Sequence, residues 1–171
     1  METENKDLTS DAQDKQGSDD EFMYLFVYGA LLSPDSMRQT FPSATFVMKA
    51  DLPNYEAQFR IYSEKRQGGT PCIIEVPGQM VRGVIYSVRE AEILKLEILE
   101  PVAERAHKRE TFLVLGEDKE WHGADLYRAV APVDPLTPSK NYLDDMIEGL
   151  KAHGLDPEYT EKWVAWRRSL D

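Results

Sequence analysis

The sequence is poor in the features that mark disulfide-bonded, membrane-bound or nucleic-acid-binding proteins. Its only cysteine, Cys72, excludes a disulfide within the chain and is typical of a reducing compartment. It has no apolar stretch long enough to span a membrane and no hydrophobic signal segment near its start. It also has no basic run to offset a formal net charge of −11, which argues against nucleic acid or an anionic membrane as a partner. We therefore expect a cytoplasmic protein that binds neither nucleic acid nor membranes.

Several common catalytic motifs are missing as well. The three histidines, His107, His122 and His153, are too far apart in sequence to form a recognisable metal motif. The chain has no nucleophile elbow, no phosphate-binding glycine-rich loop and no dinucleotide fingerprint. Cys72 lies at the start of an apolar segment, where we expect a packed and unreactive thiol. Carboxylates remain as the candidate catalytic groups, and no metal or organic cofactor is predicted.

The chain length and the distribution of charge predict one folded domain. A chain of 171 residues has the length of a single domain with one sizeable core. Residues 1–21 carry eight acidic and two basic side chains and almost no large apolar ones, so they are predicted to form a disordered acidic tail. Residues 22–171 are predicted to form the folded domain.

After the tail, short apolar runs between turn residues indicate a β-rich fold. Pro77-Gly78 and Gly116–Lys119 are typical of hairpin turns. Short helices are predicted over residues 34–40 and 90–99, and two longer helices follow near the end of the chain. The predicted strands are 23–29, 44–51, 55–62, 71–76, 80–88, 108–115 and 121–131. Together these elements predict an α/β (α+β) domain dominated by antiparallel hairpins.

The end of the first predicted strand is the most informative segment. An apolar run reaches Tyr28-Gly29, and Ser33-Pro34 then supplies an N-cap and a first-turn proline for a short helix. Glycine lets the backbone pass close to a ligand, and successive amides in a turn can bind an anion. The segment therefore either forms a small carboxylate or oxyanion pocket or simply ends a strand.

A second candidate is the carboxylate of Glu100. It follows the apolar helical segment that contains Glu97, and Pro101 disfavours helical backbone angles at the residue before it. We expect Glu100 to lie where the helix breaks, and partial burial there would raise the pKa of its carboxyl group towards the range of a general base. The alternative is an exposed glutamate at a helix end.

Short motifs follow one another in a definite order between residues 23 and 165. They are Tyr28–Leu32 after a strand, Gly68-Gly69-Thr70, the strand with Gly83-Val84, the helix with Leu96–Glu100, Pro138–Tyr142 and Gly154–Tyr159. In this order they resemble the gamma-glutamyl cyclotransferase-like family, which acts on gamma-glutamyl amino acids and gamma-glutamyl amines. Three residues depart from the family pattern. Ala30 replaces a hydroxyl residue, Pro101 replaces a glycine, and His107 replaces a tyrosine.

The resemblance implies both a fold and a reaction. The fold is a curled mixed β-sheet or small β-barrel flanked by helices. The reaction releases an amino acid or amine from a gamma-glutamyl amide and closes the glutamyl part into 5-oxoproline, without a metal or organic cofactor. We expect a small-molecule gamma-glutamyl substrate as the partner, and a monomer or homodimer.

The resemblance also implies residue roles. Glu100 corresponds to the family's essential carboxylate, which takes a proton from the substrate's α-ammonium group and returns one to the leaving amine. Backbone N–H groups of one turn are expected to hold the oxyanion and the substrate carboxylate. That turn consists of Tyr28, Gly29, Ala30 and Leu31. Tyr142 is expected either to line the cleft and donate its phenol or to pack as a core tyrosine.

Some questions stay open at the level of sequence. The glutamate at position 100 favours an enzyme, whereas Pro101 favours a module on the same fold that binds a small ligand without converting it. Arg109 either pairs with an acid near the cleft or is an exposed strand arginine. His107 either replaces the family's tyrosine as a hydrogen-bond donor or lies on the surface.

Overall fold

We describe residues 21–99 and 107–171 of a computed structural model. The predicted acidic tail lies outside these ranges apart from Glu21, and so does Glu100. The strands are β1 (Phe22–Val27), β2 (Thr45–Ser63), β3 (Gly68–Arg89), β4 (His107–Gly116) and β5 (Trp121–Ala129). The helices are α1 (Pro34–Thr40), α2 (Glu90–Leu99), α3 (Lys140–Ala152) and α4 (Pro157–Ser169), with a 3-10 turn at Ala30–Leu32.

The strands close into a barrel in the order β1-β3-β2-β4-β5. Each neighbouring pair in this order is antiparallel. β1 and β5 then close the barrel through a parallel pairing of Leu25 with Asp125. The prediction of a curled mixed sheet that forms a small barrel flanked by helices is confirmed.

β2 and β3 form one long, bent hairpin in place of four predicted strands. Both strands run through a bend where Asn54 lies opposite Pro77-Gly78, so the prediction of a hairpin turn at Pro77-Gly78 was wrong. The N–H of Gly78 donates to Asn54 Oδ1 at 3.1 Å, and the two residues have φ angles of 86° and 66°. Because the register shifts there without ending the ladder, this irregularity bends the strands instead of reversing the chain. The predicted turn at Gly116–Lys119 is confirmed and connects β4 to β5.

Side-chain caps determine where three of the helices begin. Ser33, Ser139 and Asp156 cap α1, α3 and α4, and each accepts a hydrogen bond from the backbone N–H three residues further along. The predicted helices at 34–40 and 90–99 are confirmed as α1 and α2. None of the helices in the two described ranges is long and apolar enough to cross a membrane.

The apolar core consists of two clusters. One lies among the strands and includes Phe26, Ile85 and Leu126, and the other packs the helices against the sheet around Trp163. Cys72 is fully buried, and burial raises the pKa of its thiol. The expectation of a packed thiol is therefore confirmed.

Helix α3 positions the turn that follows β1. A Cβ atom on Gly149 would lie 2.2 Å from the carbonyl carbon of Leu32, so α3 packs directly against the backbone of the 3-10 turn. At the end of α3, Nε2 of His153 donates to the Leu32 carbonyl oxygen at 3.1 Å and lies 3.2 Å from the Tyr86 hydroxyl. Gly149 and His153 thus both contact Leu32 at the end of the turn.

Candidate active site

The turn after β1 presents open backbone amides. Within residues 21–99 and 107–171, the N–H groups of Gly29, Ala30 and Leu31 donate to no backbone carbonyl. The N–H groups of Leu32 and Ser33 close the turn by donating to the carbonyls of Gly29 and Ala30, at 2.9 and 3.0 Å. The first amides of a helical turn have no partner inside it. The Ala30 amide hydrogen bonds with Tyr142, and the Gly29 and Leu31 amides remain as donors for an oxyanion or carboxylate.

Tyr142 approaches this turn from α3. A Cβ atom on Gly29 would lie 2.0 Å from the phenol oxygen of Tyr142, so only glycine leaves room for the phenol. The Tyr142 ring packs edge-on against Phe59 at a centroid distance of 6.1 Å, and the Arg66 guanidinium lies 5.2 Å from its centroid. Tyr142 thus combines both expected positions, because its ring packs against the core and its hydroxyl reaches the turn.

Burial raises the pKa of two phenols in the turn region. It raises the pKa of Tyr142 to about 12, while hydrogen bonding to the Ala30 backbone acts in the opposite direction. Burial also raises the pKa of Tyr28 well above its ordinary value, and the neighbouring Tyr142 adds to this. Because the Tyr142 oxygen accepts from the backbone, its own proton is available to a ligand.

These residues surround a small cavity. Its volume is about 160 Å³, and an engineered protein cavity of about 150 Å³ binds benzene. The cavity therefore suits a group of the size of an amino-acid side chain. The predicted binding residues that line it together are Tyr28, Gly29, Ala30, Leu31 and Tyr142.

A polar groove continues from this cavity. His107 and Tyr127 line both the cavity and the groove, whose volume is about 520 Å³. In the groove, Nε of Arg109 lies 2.7 Å from Oε1 of Glu97, and Nη1 lies 3.2 Å from Oδ2 of Asp125. The Tyr127 hydroxyl donates to the same Glu97 oxygen at 3.0 Å. The structure thus supports the first of the two alternatives for Arg109, pairing with acids near the cleft.

The predicted catalytic residue, Glu100, and the adjacent Pro101 lie outside the described residues, so the role of Glu100 stays a prediction. In sequence they fall between α2, which ends at Leu99, and β4, which begins at His107. His107 is half-buried, lines the cavity and lies edge-on to Tyr127 at 6.5 Å. Both interpretations of His107, as a hydrogen-bond donor and as a surface histidine, therefore stay predictions.

Sequence reasoning missed Tyr127 as a lining residue of the cavity. No local signal indicated it, because only the pairing of β5 with β4 brings its side chain beside Arg109. Tyr127 lies two residues after Asp125 on β5 and is paired in register with Arg109. In the described part of the chain, no group of three or more histidine, cysteine or acidic side chains is arranged to hold a metal ion.

The Gly68-Gly69 segment positions the start of α3. The N–H of Gly69 donates to the Thr137 carbonyl, and the N–H of Ser139 donates to the Gly69 carbonyl, both at 2.9 Å. A Cβ atom on Gly68 would lie 2.8 Å from Cα of Ser139. Ser139 then caps α3 by accepting from the N–H of Tyr142 at 3.3 Å. The two glycines therefore help to place Tyr142 at the cavity.

The chain is similar to known proteins in sequence and in structure. Residues 25–144 match the family described as gamma-glutamyl cyclotransferase, AIG2-like. The mouse gamma-glutamylcyclotransferase is 27% identical over 161 residues, which cover 92% of this chain and 85% of the mouse protein. The human gamma-glutamylcyclotransferase is 26% identical over 160 residues, which cover 91% of this chain and 85% of the human protein.

A solved structure of a gamma-glutamyl cyclotransferase superposes on this one with a TM-score of 0.78. The two are 25% identical, and the superposition covers 85% of this chain and 88% of the other. The family match alone extends over more than half of the sequence. The chain therefore belongs to the gamma-glutamyl cyclotransferase, AIG2-like family.

Proposed function

We propose that this chain is a gamma-glutamyl cyclotransferase-type enzyme. It releases an amino acid or amine from a gamma-glutamyl amide and closes the glutamyl part into 5-oxoproline. The main support for the proposal is the small cavity. It is lined both by the turn after β1, with its open amides, and by the Tyr142 phenol. Membership of the family supports the same class of reaction.

In this proposal the cavity binds the glutamyl head of the substrate. The amides of Gly29 and Leu31 donate to its oxygen atoms, and Tyr142 donates its phenol proton. Hydrogen bonding between the Ala30 backbone and the phenol orients Tyr142. Ala30 fits this role without a hydroxyl group, because the backbone makes the contact.

Glu100 is the general acid and base of the proposed reaction. Its carboxylate takes a proton from the substrate's α-ammonium group, and the resulting amine attacks the γ-carbonyl carbon. A ring C–N bond forms, negative charge develops on the carbonyl oxygen, and the original amide C–N bond then breaks. Two protons leave the α-nitrogen in all, and Glu100 passes both to the leaving nitrogen, which departs as an ammonium ion. The attacking amine and the γ-carbonyl belong to the same substrate molecule. The enzyme therefore needs only to hold the substrate in the folded conformation that brings them together.

The test is to incubate the purified protein with a panel of gamma-glutamyl dipeptides and gamma-glutamyl amines and to quantify 5-oxoproline. We expect product from at least one substrate, and we expect Glu100→Gln to lower the rate by about 10²–10⁴-fold. Glu90→Gln is the matched control, since it makes the same charge change at the other end of α2. Wild-type rates in the Glu100→Gln variant would contradict the mechanism.

A binding module on the same fold is the second candidate. Pro101 favours it, because the family has a glycine after the essential glutamate. This candidate predicts calorimetric binding of the gamma-glutamyl compounds with no 5-oxoproline formed by the wild type. Turnover by the wild type would exclude it.

A further inference from the structure

The contact between Arg66 and Tyr142 joins the turn that follows β2 to the first turn of α3. The Arg66 guanidinium carbon lies 5.2 Å from the centroid of the Tyr142 ring. Nη1 of Arg66 donates to Oδ2 of Asp145 at 2.7 Å and to Oδ1 of Asn141 at 3.3 Å. Asn141 and Asp145 lie on α3, on either side of Tyr142 in sequence. These two acceptors therefore hold the guanidinium beside the ring.

The main chain of Arg66 is attached to the start of the same helix. Its carbonyl oxygen accepts from the Ser139 hydroxyl at 2.7 Å, and its N–H donates to Oγ of Ser63 at 3.1 Å. The Arg66 side chain is only 28% exposed. By contrast, Lys140 in α3 lies 3.7 Å from Asp171 with 55% of its side chain exposed. Exposed pairs of that kind contribute little, whereas a partly buried guanidinium with two acceptors keeps one position.

The charge of Arg66 also acts on the Tyr142 hydroxyl. Burial raises the pKa of Tyr142 to about 12, so the phenol carries its proton at neutral pH. The positive charge of Arg66 acts to lower that pKa, and the negative charge of Asp145 acts to raise it. A cation beside an aromatic ring is attracted to the electrons of the ring and favours negative charge on the phenol oxygen. The same effect makes the phenol a stronger hydrogen-bond donor towards an anion.

We propose that Arg66 is a positioning residue that fixes the Tyr142 ring and strengthens the hydrogen bond from its phenol to a carboxylate bound in the cavity. The inference rests on the proposed function, because it assumes that the cavity binds the glutamyl head. Arg66 is not among the described residues that line this cavity. It therefore acts through Tyr142 and does not touch the ligand. The ligand is a small carboxylate, represented here by 5-oxoproline.

The test is a double-mutant cycle on the affinity of the full chain for 5-oxoproline, measured by calorimetry. The cycle compares the wild type, Arg66→Gln, Tyr142→Phe and the double variant. Arg66→Lys is added because it keeps a positive charge beside the ring. Lys65→Gln is the matched control, since it removes a positive charge from the exposed neighbouring residue of the same turn. Circular dichroism at the assay temperature establishes the folded fraction of each variant.

We expect Tyr142→Phe to lower the affinity by about 10- to 100-fold, because a hydrogen bond to a charged group is lost. Arg66→Gln is expected to lower it by about 3- to 5-fold. The loss is expected to be smaller in Arg66→Lys and absent in Lys65→Gln. In the Tyr142→Phe background, Arg66→Gln is expected to have no further effect, because the hydroxyl through which Arg66 acts is gone.

Three results would overturn the inference. These are wild-type affinity in either Arg66→Gln or Tyr142→Phe, an equal loss in Lys65→Gln and Arg66→Gln, or the same loss from Arg66→Gln with and without the Tyr142 hydroxyl. The last result would be expected if Arg66 only supported the fold.

Failure of the proposed function has a different signature. In that case the wild type forms no 5-oxoproline from any substrate of the panel, and the cycle still measures the effect of Arg66 on binding. Absence of 5-oxoproline binding by the wild type would overturn the role of Arg66, whether or not the protein turns over a substrate.

Discussion

At the scale of single residues, the cavity depends on the absence of a Cβ atom at Gly29. The phenol oxygen of Tyr142 lies only 2.0 Å from the position that a Cβ atom on Gly29 would take. The Tyr-Gly sequence indicated a close approach of the backbone to a ligand, and Tyr142 was a separate candidate. Their mutual contact could not be read from the sequence, because it requires α3 to fold back onto the end of β1.

Gly29→Ala is expected to destabilise the protein by about 1–3 kcal/mol, since overpacking forces either the phenol or the turn to move. Adding Tyr142→Phe is expected to recover part of this loss, because it removes the oxygen but leaves ring carbon Cζ at 3.1 Å from the new methyl group. Urea unfolding of the two single variants and the double variant measures the coupling. Strictly additive free energies of unfolding would contradict the contact.

At the scale of elements, the contact between the end of α3 and the turn after β1 includes a titratable histidine. His153 follows α3 and donates to the Leu32 carbonyl. Burial lowers the pKa of His153 below 6.5, and the hydrogen bond to Leu32 opposes this only in part. Its ring also stacks on Phe46 at a centroid distance of 5.5 Å. The neutral imidazole is therefore the form that the folded protein favours.

The pH dependence of stability follows from that preference. Below pH 6.5 the unfolded chain binds a proton at His153 more readily than the folded chain. Its contribution to stability is therefore complete above pH 6.5 and is lost as the pH falls through the folded-state pKa. We expect the free energy of unfolding to fall less steeply between about pH 7 and pH 5 in His153→Gln than in the wild type. Parallel curves in urea titrations of the two proteins would contradict this account.

The elements also show where local sequence stops being informative. The helix at 34–40 was predicted because a capping serine and a first-turn proline are local signals. Pro77-Gly78 has the composition of a turn, yet β3 continues through it because Asn54 on the facing strand accepts its hydrogen bond. Similarly, the ion pair between Glu97 and Arg109 depends on the barrel placing α2 beside β4. Local composition does not indicate such contacts with distant parts of the chain.

At the scale of the whole molecule, the extent of strand pairing differs from one junction of the barrel to another. β2 and β3 pair along most of their lengths, whereas β1 and β5 pair in register only at Leu25 and Asp125. Fewer backbone hydrogen bonds across one junction make local opening there easier than elsewhere. The resemblance implied a curled sheet that forms a small barrel, but it did not indicate which two strands would close it.

Hydrogen exchange can locate this weak junction. We expect amides of β5 on the side facing β1 to exchange faster than amides shared by β2 and β3, because fewer of them take part in a ladder. Exchange followed residue by residue by NMR measures this directly. Equal protection of both groups would contradict the assignment of the β1–β5 junction as weaker than the β2–β3 hairpin.

The position of the cavity gives that junction a further consequence. The turn that extends β1 and Tyr127 on β5 are both in its lining, so any molecule seated there bridges the two edges of the sheet. A bound molecule would then oppose the separation of β1 from β5, and the free energy gained on binding would add to the stability of the closed barrel. Without a bound molecule, the barrel is thus expected to open more easily beside this cavity than along the β2–β3 hairpin.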